Sequence, residues 1–405
     1  MRPMPDLVAH GVLAGLDEIA GTGRDRRAGG YSRHLWQSAE LELRAWFTER
    51  AERLGLAVET DRNGNIWAWW GAPGADAVVV GSHLDSVPGG GAYDGPLGVV
   101  SALDAVARLQ AAGFVPSRPC AVLVFAEEEG SRFGLACLGS RQLSGAIDAD
   151  RARNLTDRAG ITLADAAASA GLDPAHLGHD QEALDRIGIF LELHVEQGRG
   201  LIDLGEPLAV ASSILAHGRW RLSFTGQGNH AGATLMTDRH DPMVAAAHAI
   251  VAVQQAALAS PGSRATVGRI EAVPGGTNVI PSVVHAWLDA RAETDAQARA
   301  VVAEITARVQ APHAGCATSV MEESWTGTVT FDPELAARLA VALGGIPVLP
   351  TGAGHDAGVL AARVPTAMLF VRNPTGISHS PEEFATLEDC LAGVDALDTL
   401  LRELL

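Results

Sequence analysis

VVVGSHLDSVPGGGAYDGPLG (78–98) is the stretch on which the reading of this chain turns. Three valines run as a strand into a histidine and two acids. A glycine-rich loop follows, and Pro96 stands where a helix over 96–112 would open. Residues 121–134, AVLVFAEEEGSRFG, run the same way: an apolar strand, then acids, then glycine. Strands that alternate with helices and end in polar residues predict an α/β layer with ligands at the strand ends. His83, Asp85, Asp94, Glu128 and Glu129 all crowd there. His83 and Asp85 sit at alternate positions of an extended segment and so point to one side. Neutral imidazole with carboxylates is a ligand set for a zinc-like or manganese-like divalent ion. An extra glutamate beside such ligands can serve as a general base. The reading is a metal-dependent hydrolase, with two ions rather than one.

The rest of the chain supports two domains. Residues 38–54 read as an amphipathic helix, and AVETDRN and NIWAWWG as a strand pair turned at Asn63-Gly64-Asn65. Strands are predicted at 77–81, 120–126 and 188–198, with polar helical elaboration over 151–186. Near residue 213 the texture changes. HGRWRLSFTG, DPMVAAAHAIVAVQQAAL, ATVGRIEAV, VHAWLDARAE, DAQARAVVAEITARVQ and ATSVMEESW read as β-α-β-β-α-β, a ferredoxin-like unit. The α/β texture returns after it. The expected division is a catalytic domain from 1–212 and 329–405 and an inserted domain from 213–328.

Bulk composition agrees. A chain of 405 residues exceeds one ordinary core. Hydrophobic content of 47% with 19% charged residues fits a globular protein. A net charge of −18 opposes a nucleic-acid partner. All 30 basic residues are arginine, which rules out a lysine Schiff base or a P-loop lysine. Cys120, Cys137, Cys316 and Cys390 form no CxxC pair and suit a reducing compartment. MRPMPDLVAHG lacks the apolar core of a leader, and no apolar run reaches the ~20 residues of a membrane span. A cytoplasmic location is expected.

Each residue alone has an ordinary explanation. His83 with Asp85 fits a surface turn, Asp94 an Asp-Gly turn, and Glu127–Glu129 a solvated helix start. His194 in LELHVEQG fits a core histidine, and His379 in GISHSPEE a loop histidine. Together they fall at strand ends and loops of one domain. Five ligands with one shared carboxylate are what a paired metal site needs.

The chain resembles the dinuclear metal amidases that include N-carbamoyl-L-amino acid hydrolases, allantoate amidohydrolases and β-ureidopropionases, relatives of the aminoacylase and carboxypeptidase type of metallopeptidase. The motifs are GSHLDSV (81–87), GGGAYDGPLGV (89–99), EEEGSRF (127–133), ELHVEQG (192–198), GNHAGATLMTDRHDP (228–242), GGTNVIP (275–281), LDARAE (288–293), GAGHDA (352–357) and SHSPEE (378–383). The resemblance implies one ion on His83, Asp94 and His194 and another on Asp94, Glu129 and His379. Zinc or manganese is expected, with cobalt or nickel tolerated. It implies Asp85 as the group orienting His83, Glu128 as the base, and Gln197, His230, Asn278 and Arg291 at the substrate, with His355 nearby. His230 would also meet the oxyanion, and Arg291 a substrate carboxylate. Tyr93, before Asp94, departs from the pattern. The inserted domain is expected to form a homodimer and supply groups across it.

The implied substrate is a small ureido or carbamoyl acid. HGRWR and GGYSRHLW (29–36) put allantoate first, with N-carbamoyl-L-amino acids next. EEEGSRF and HVEQG speak against a dipeptidase or aminoacylase. The full set of ligands with Glu128 speaks against a non-catalytic scaffold.

Overall fold

The computed structural model describes residues 11–405 except Pro312. The N-terminal segment read above for a leader lies almost wholly outside the described residues. The chain forms two compact units. One ends at Ser212 and resumes from Thr330 to Leu405; the other is Ser213–Val329.

The large unit carries, among the described residues, a nine-stranded sheet. Its strands are β1 (Ala57–Thr60), β2 (Ile66–Trp70), β3 (Ala77–His83), β4 (Cys120–Phe125), β5 (Ile187–Val195), β6 (Leu208–Ile214), β13 (Val329–Thr330), β14 (Val348–Thr351) and β15 (Thr366–Val371). The order is β1-β2-β4-β3-β5-β15-β6-β13, with β14 beside β6. The centre, β4-β3-β5-β15, is parallel. Such strands are covered on both faces, and β3, β4 and β15 are buried along their whole length. β4 lies on one side of β3 and β5 on the other, so the strand order reverses at β3. Ligands of open α/β sheets bind outside the carboxyl ends at such a switch point.

The helix Pro96–Ala111 begins straight after the glycine loop and is buried on nearly every side. Val99, Val100, Leu103, Val106 and Leu109 have no exposed surface. Each contributes roughly 1.5–3 kcal/mol by leaving water. Gly95, at φ +82°, precedes it, and a Cβ there would lie 2.5 Å from the His83 ring. The loop can therefore turn against the imidazole only as glycine.

The smaller unit is built as β7 (Ala216–Thr225), helix Pro242–Leu258, β9 (Arg264–Val273), β11 (Val283–Ala292), helix Asp295–Gln310 and β12 (Ala317–Thr326). Its sheet order is β12-β7-β11-β9, antiparallel throughout. Asp241 and Thr294 cap the two helices through their side chains. β11 alternates buried and half-buried residues, and its buried face packs on both helices around Phe224, Ala249 and Ile305. A short ladder of β8 (Asn229–His230) and β10 (Val279–Ile280) stands apart.

Some elements differ from the expectations. The predicted elaboration at 151–186 condenses to short helices, Ala149–Arg153, Leu163–Ser169 and Gln181–Leu184 among them. β6 and β14 were not predicted. LAVASSI and VLPT lack clean alternation, and these strands exist because β15 supplies a ladder for β6, which in turn supports β14. Among the described residues no helix is long and apolar enough to cross a membrane.

Candidate metal centre

The carboxyl ends of β3, β4 and β5 deliver three of the expected groups to one place. His83 closes β3, Glu127–Glu129 follow β4, and His194 is the penultimate residue of β5. His83 Nδ1 lies 3.1 Å from the Asp85 carbonyl oxygen, and His194 Nδ1 lies 2.9 Å from the Val195 carbonyl oxygen. A carbonyl only accepts, so each Nδ1 carries the hydrogen and, in the neutral ring, each Nε2 presents a lone pair. Those two Nε2 atoms are buried and have no hydrogen-bond partner among the described residues. Both face Asp94 Oδ1, at 3.5 Å from His83 and 3.2 Å from His194. Two lone pairs aimed at a carboxylate oxygen repel unless a cation lies among them.

The other oxygen of Asp94 faces a second group. His379 Nε2 stands 3.5 Å from Asp94 Oδ2 and 3.4 Å from Glu129 Oε2. Tetrahedral ligands at ~2.1 Å from an ion stand about 3.4 Å from one another, whereas hydrogen-bonded atoms stand nearer about 2.9 Å. The spacings in both groups match the former. Gln197 Nε2 donates to Asp94 Oδ2 at 2.7 Å and lies 3.3 Å from His379 Nε2.

The electrostatics point the same way. Burial pushes Glu128 well above the usual carboxylate range, and Asp356, Glu129 and Asp85 add to this. Burial and Asp94 push Glu129 up to about 9, and burial and Asp85 push Glu127 up to about 8. Buried acids in this number are costly unless paired with cations.

Asp85 grips the glutamate loop. Its Oδ1 and Oδ2 accept the backbone N–H groups of Glu128 and Glu129, each at 3.1 Å. Its carboxylate is 3.6 Å from His83 Nδ1, farther than its carbonyl. Glu128 projects Oε2 to 3.7 Å from His83 Nε2, and the Cys137 thiol donates to its Oε1 at 3.4 Å.

The model for peptidase family M20/M25/M40 matches residues 79–403. The chain belongs to this family. Among its M20-type relatives, an N-carbamoyl-L-amino acid amidohydrolase of Geobacillus stearothermophilus is 37% identical over 91% of this chain and 92% of its own. An allantoate amidohydrolase of Escherichia coli is 32% identical over 93% of each. The solved structure of a hydantoinase/carbamoylase family amidase from Burkholderia vietnamiensis matches with a TM-score of 0.86 at 29% identity, over 97% of this chain and 96% of that one.

The remaining predicted residues of this M20 chain fall into two places. His355 is buried beside His194, with ring centroids 4.5 Å apart, and burial and His194 hold it well below the usual histidine value. His230, Asn278 and Arg291 lie in the smaller unit. The β8–β10 ladder brings the first two together: His230 pairs with Val279, and the Ala231 N–H donates to the Asn278 carbonyl at 2.9 Å. Arg291 lies on β11, where its Nε and Nη2 donate to the two oxygens of Asp289 at 2.7 and 3.1 Å.

Residues not singled out in the sequence also take part. Glu192 is fully buried, accepts from the Ser82 hydroxyl and the Ala357 N–H, and forms a third metal-type group with His194 and His355. Its signal was available: an acid two residues before a histidine shares its face of a strand. Asp356 bonds Ser140 deep in the same region. Glu383, pushed up to about 7 by burial and Asp94, accepts from the Asp94 backbone. Nothing local marks it apart from its neighbour Glu382.

Proposed function

We propose that this chain is a dinuclear metal amidohydrolase that cleaves a non-peptide C–N bond in a small ureido or carbamoyl acid. One observation carries the reading. Asp94 turns one oxygen to the paired Nε2 atoms of His83 and His194 and the other to His379 and Glu129, at ion-sharing distances. Family membership supports it, since M20 amidohydrolases are metal-dependent. His83, Asp94 and His194 would hold one ion; Asp94, Glu129 and His379 would hold the other. Zinc or manganese suits this set of nitrogen and oxygen ligands, and cobalt or nickel is tolerated by it. Divalent ions there would polarise the scissile carbonyl and lower the pKa of a bound water.

The chain's own groups supply the rest. Glu128 is the proposed base. It is buried, with Oε2 3.7 Å from His83 Nε2, placed to take a proton from a bound water and pass it to the departing nitrogen. Asp85 fixes the glutamate loop, and His355 backs His194. His230, with Asn278 beside it, is proposed to meet the developing oxyanion, and Gln197 to contact substrate. Arg291 is proposed to read a substrate carboxylate. Asp289 lies between Arg291 and Arg219, the latter at 3.7 Å.

Relatives of both activities match over nearly the whole chain, so allantoate, favoured by HGRWR and GGYSRHLW, stays first among substrates to try, with N-carbamoyl-L-amino acids as the second reading. Ammonia release should be measured from both, from ureidoglycolate, and from neutral analogues lacking the carboxylate. Acidic ureides are expected to be cleaved and neutral analogues cleaved poorly. Arg291→Lys should raise KM for the acids roughly tenfold or more, because a point charge cannot replace a fork of donors. It should scarcely change the neutral rate. Equal turnover of acid and neutral amide by the wild type sinks the acid-substrate reading.

The smaller unit is proposed to form a symmetric dimer that lends His230 to the partner's metals. Its motifs GNHAG and GGTNVIP lie far in sequence from the ligands. Mixing inactive His230→Ala and Glu128→Gln chains should recover about a quarter of wild-type activity, since half the dimers are mixed and each restores one site of two. No recovery after verified subunit exchange would count against site sharing.

A further inference from the structure

Glu383 is outside both ligand groups, and nothing in the proposed function uses it. It is 4% exposed. Its Oε1 accepts the backbone N–H of Tyr93 at 3.1 Å and of Asp94 at 2.9 Å. Its Oε2 accepts the Ser378 hydroxyl at 2.9 Å. One carboxylate thus binds the aspartate loop and the His379 loop, whose bonded residues Asp94 and Glu383 are 289 positions apart.

The aspartate loop is shaped to receive it. A Cβ on Gly91 would lie 2.2 Å from Glu383 Oε1 and 2.5 Å from Glu383 Cβ. The missing side chain lets the carboxylate lie directly on the loop backbone. Ser378, held by Glu383, is also within 3.2 Å of Gln197 Nε2 and 3.4 Å of Asp94 Oδ2.

We propose that Glu383 is a positioning residue that clamps the Asp94 loop to the His379 loop and so sets the spacing of the Asp94, Glu129 and His379 group. His83 and His194 are held by their own strands. His379 has a half-exposed side chain on a loop, at φ +56°, and depends on such a tie. Hydrogen-bond partners behind metal ligands are typically worth 10–100-fold in affinity. Removing the carboxylate would also leave two buried N–H groups unpaired.

This inference rests on the dinuclear reading, and the test separates the two. The dialysed full chain is titrated with Mn²⁺ by calorimetry, with circular dichroism and Tm as checks of folding. Wild type is expected to bind two ions. Glu383→Ala and Gly91→Ala should each weaken one ion by ~10–100-fold and the other less. Glu383→Gln keeps an acceptor oxygen and should fall nearer to wild type. Should Glu383→Ala fail to fold, Gly91→Ala and Glu383→Gln carry the comparison. Two wild-type ions with unchanged affinities in Gly91→Ala, or equal weakening of both ions in the variants, overturns the clamp alone. Fewer than two ions in wild type overturns the dinuclear reading and the clamp with it.

Discussion

Glu128→Gln should keep both ions and near wild-type substrate affinity while losing roughly 10²-fold or more in turnover. The substitution preserves volume, and an amide oxygen can still accept from the Cys137 thiol. What disappears is the ability to take up and return a proton. Glu128 also lies outside the two proposed ligand groups, so metal content should be spared. Steady-state kinetics with elemental analysis on the same sample checks both halves. A variant that turns over near the wild-type rate moves the role elsewhere. Glu127 is then the next suspect, although its Oε1 is committed to the N–H groups of Arg132 and Phe133, both at 2.7 Å.

Stripping the ions should cost more still. Loss of carbonyl polarisation and of an activated water is worth several kcal/mol, so activity should fall more than about 10³-fold and return on adding Mn²⁺ or Zn²⁺. Stability should change with pH in a defined direction. In the metal-free protein Glu127 sits at about 8 and Glu129 at about 9, both raised by burial from an ordinary value of 4.5. Below the unfolded value both states are protonated and the contribution is fully present. Above it the folded state holds protons that the unfolded chain has released. Stability is therefore lost as pH rises, until the folded values near 8 and 9 are passed. Tm of the stripped protein should fall steadily from pH 5 to pH 9. The metal-loaded protein should fall much less, because bound cations favour the charged carboxylates. Parallel Tm–pH curves with and without ions would contradict the metal assignment.

Much of the catalytic layer is legible locally. Val78–Val80 and Ala121–Phe125 are apolar runs that stop at polar residues, and a parallel strand must end that way to present ligands at its carboxyl edge. β7, β9, β11 and β12, with the helices capped at Asp241 and Thr294, are likewise legible along the chain. The helix Gly11–Ile19 and the strand β6 escape such reading. LAVASSI carries no clean alternation of its own, and β6 takes its form from β15, far along the chain. Arg291 shows the limit for a candidate residue. Its place on β11 can be read from the sequence, but its bidentate pairing with Asp289 depends on side-chain directions that only the folded strand sets.

By itself the sequence determined the α/β class, the strand ends at which His83, Glu128 and His194 stand, and the family to which the motifs belong. Periodicity and strand termination are short-range properties, written within about ten residues. Tertiary structure alone decided which oxygen of Asp94 faces which histidine, and that Asp85 holds the glutamate loop. It also decided that Glu383, rather than Glu382, reaches the Asp94 backbone. Those facts depend on sheet order, which sets β3 between β4 and β5 and brings residues nearly three hundred positions apart to within 3 Å. No local spacing encodes such a closure, because its geometry is a property of the packed layers.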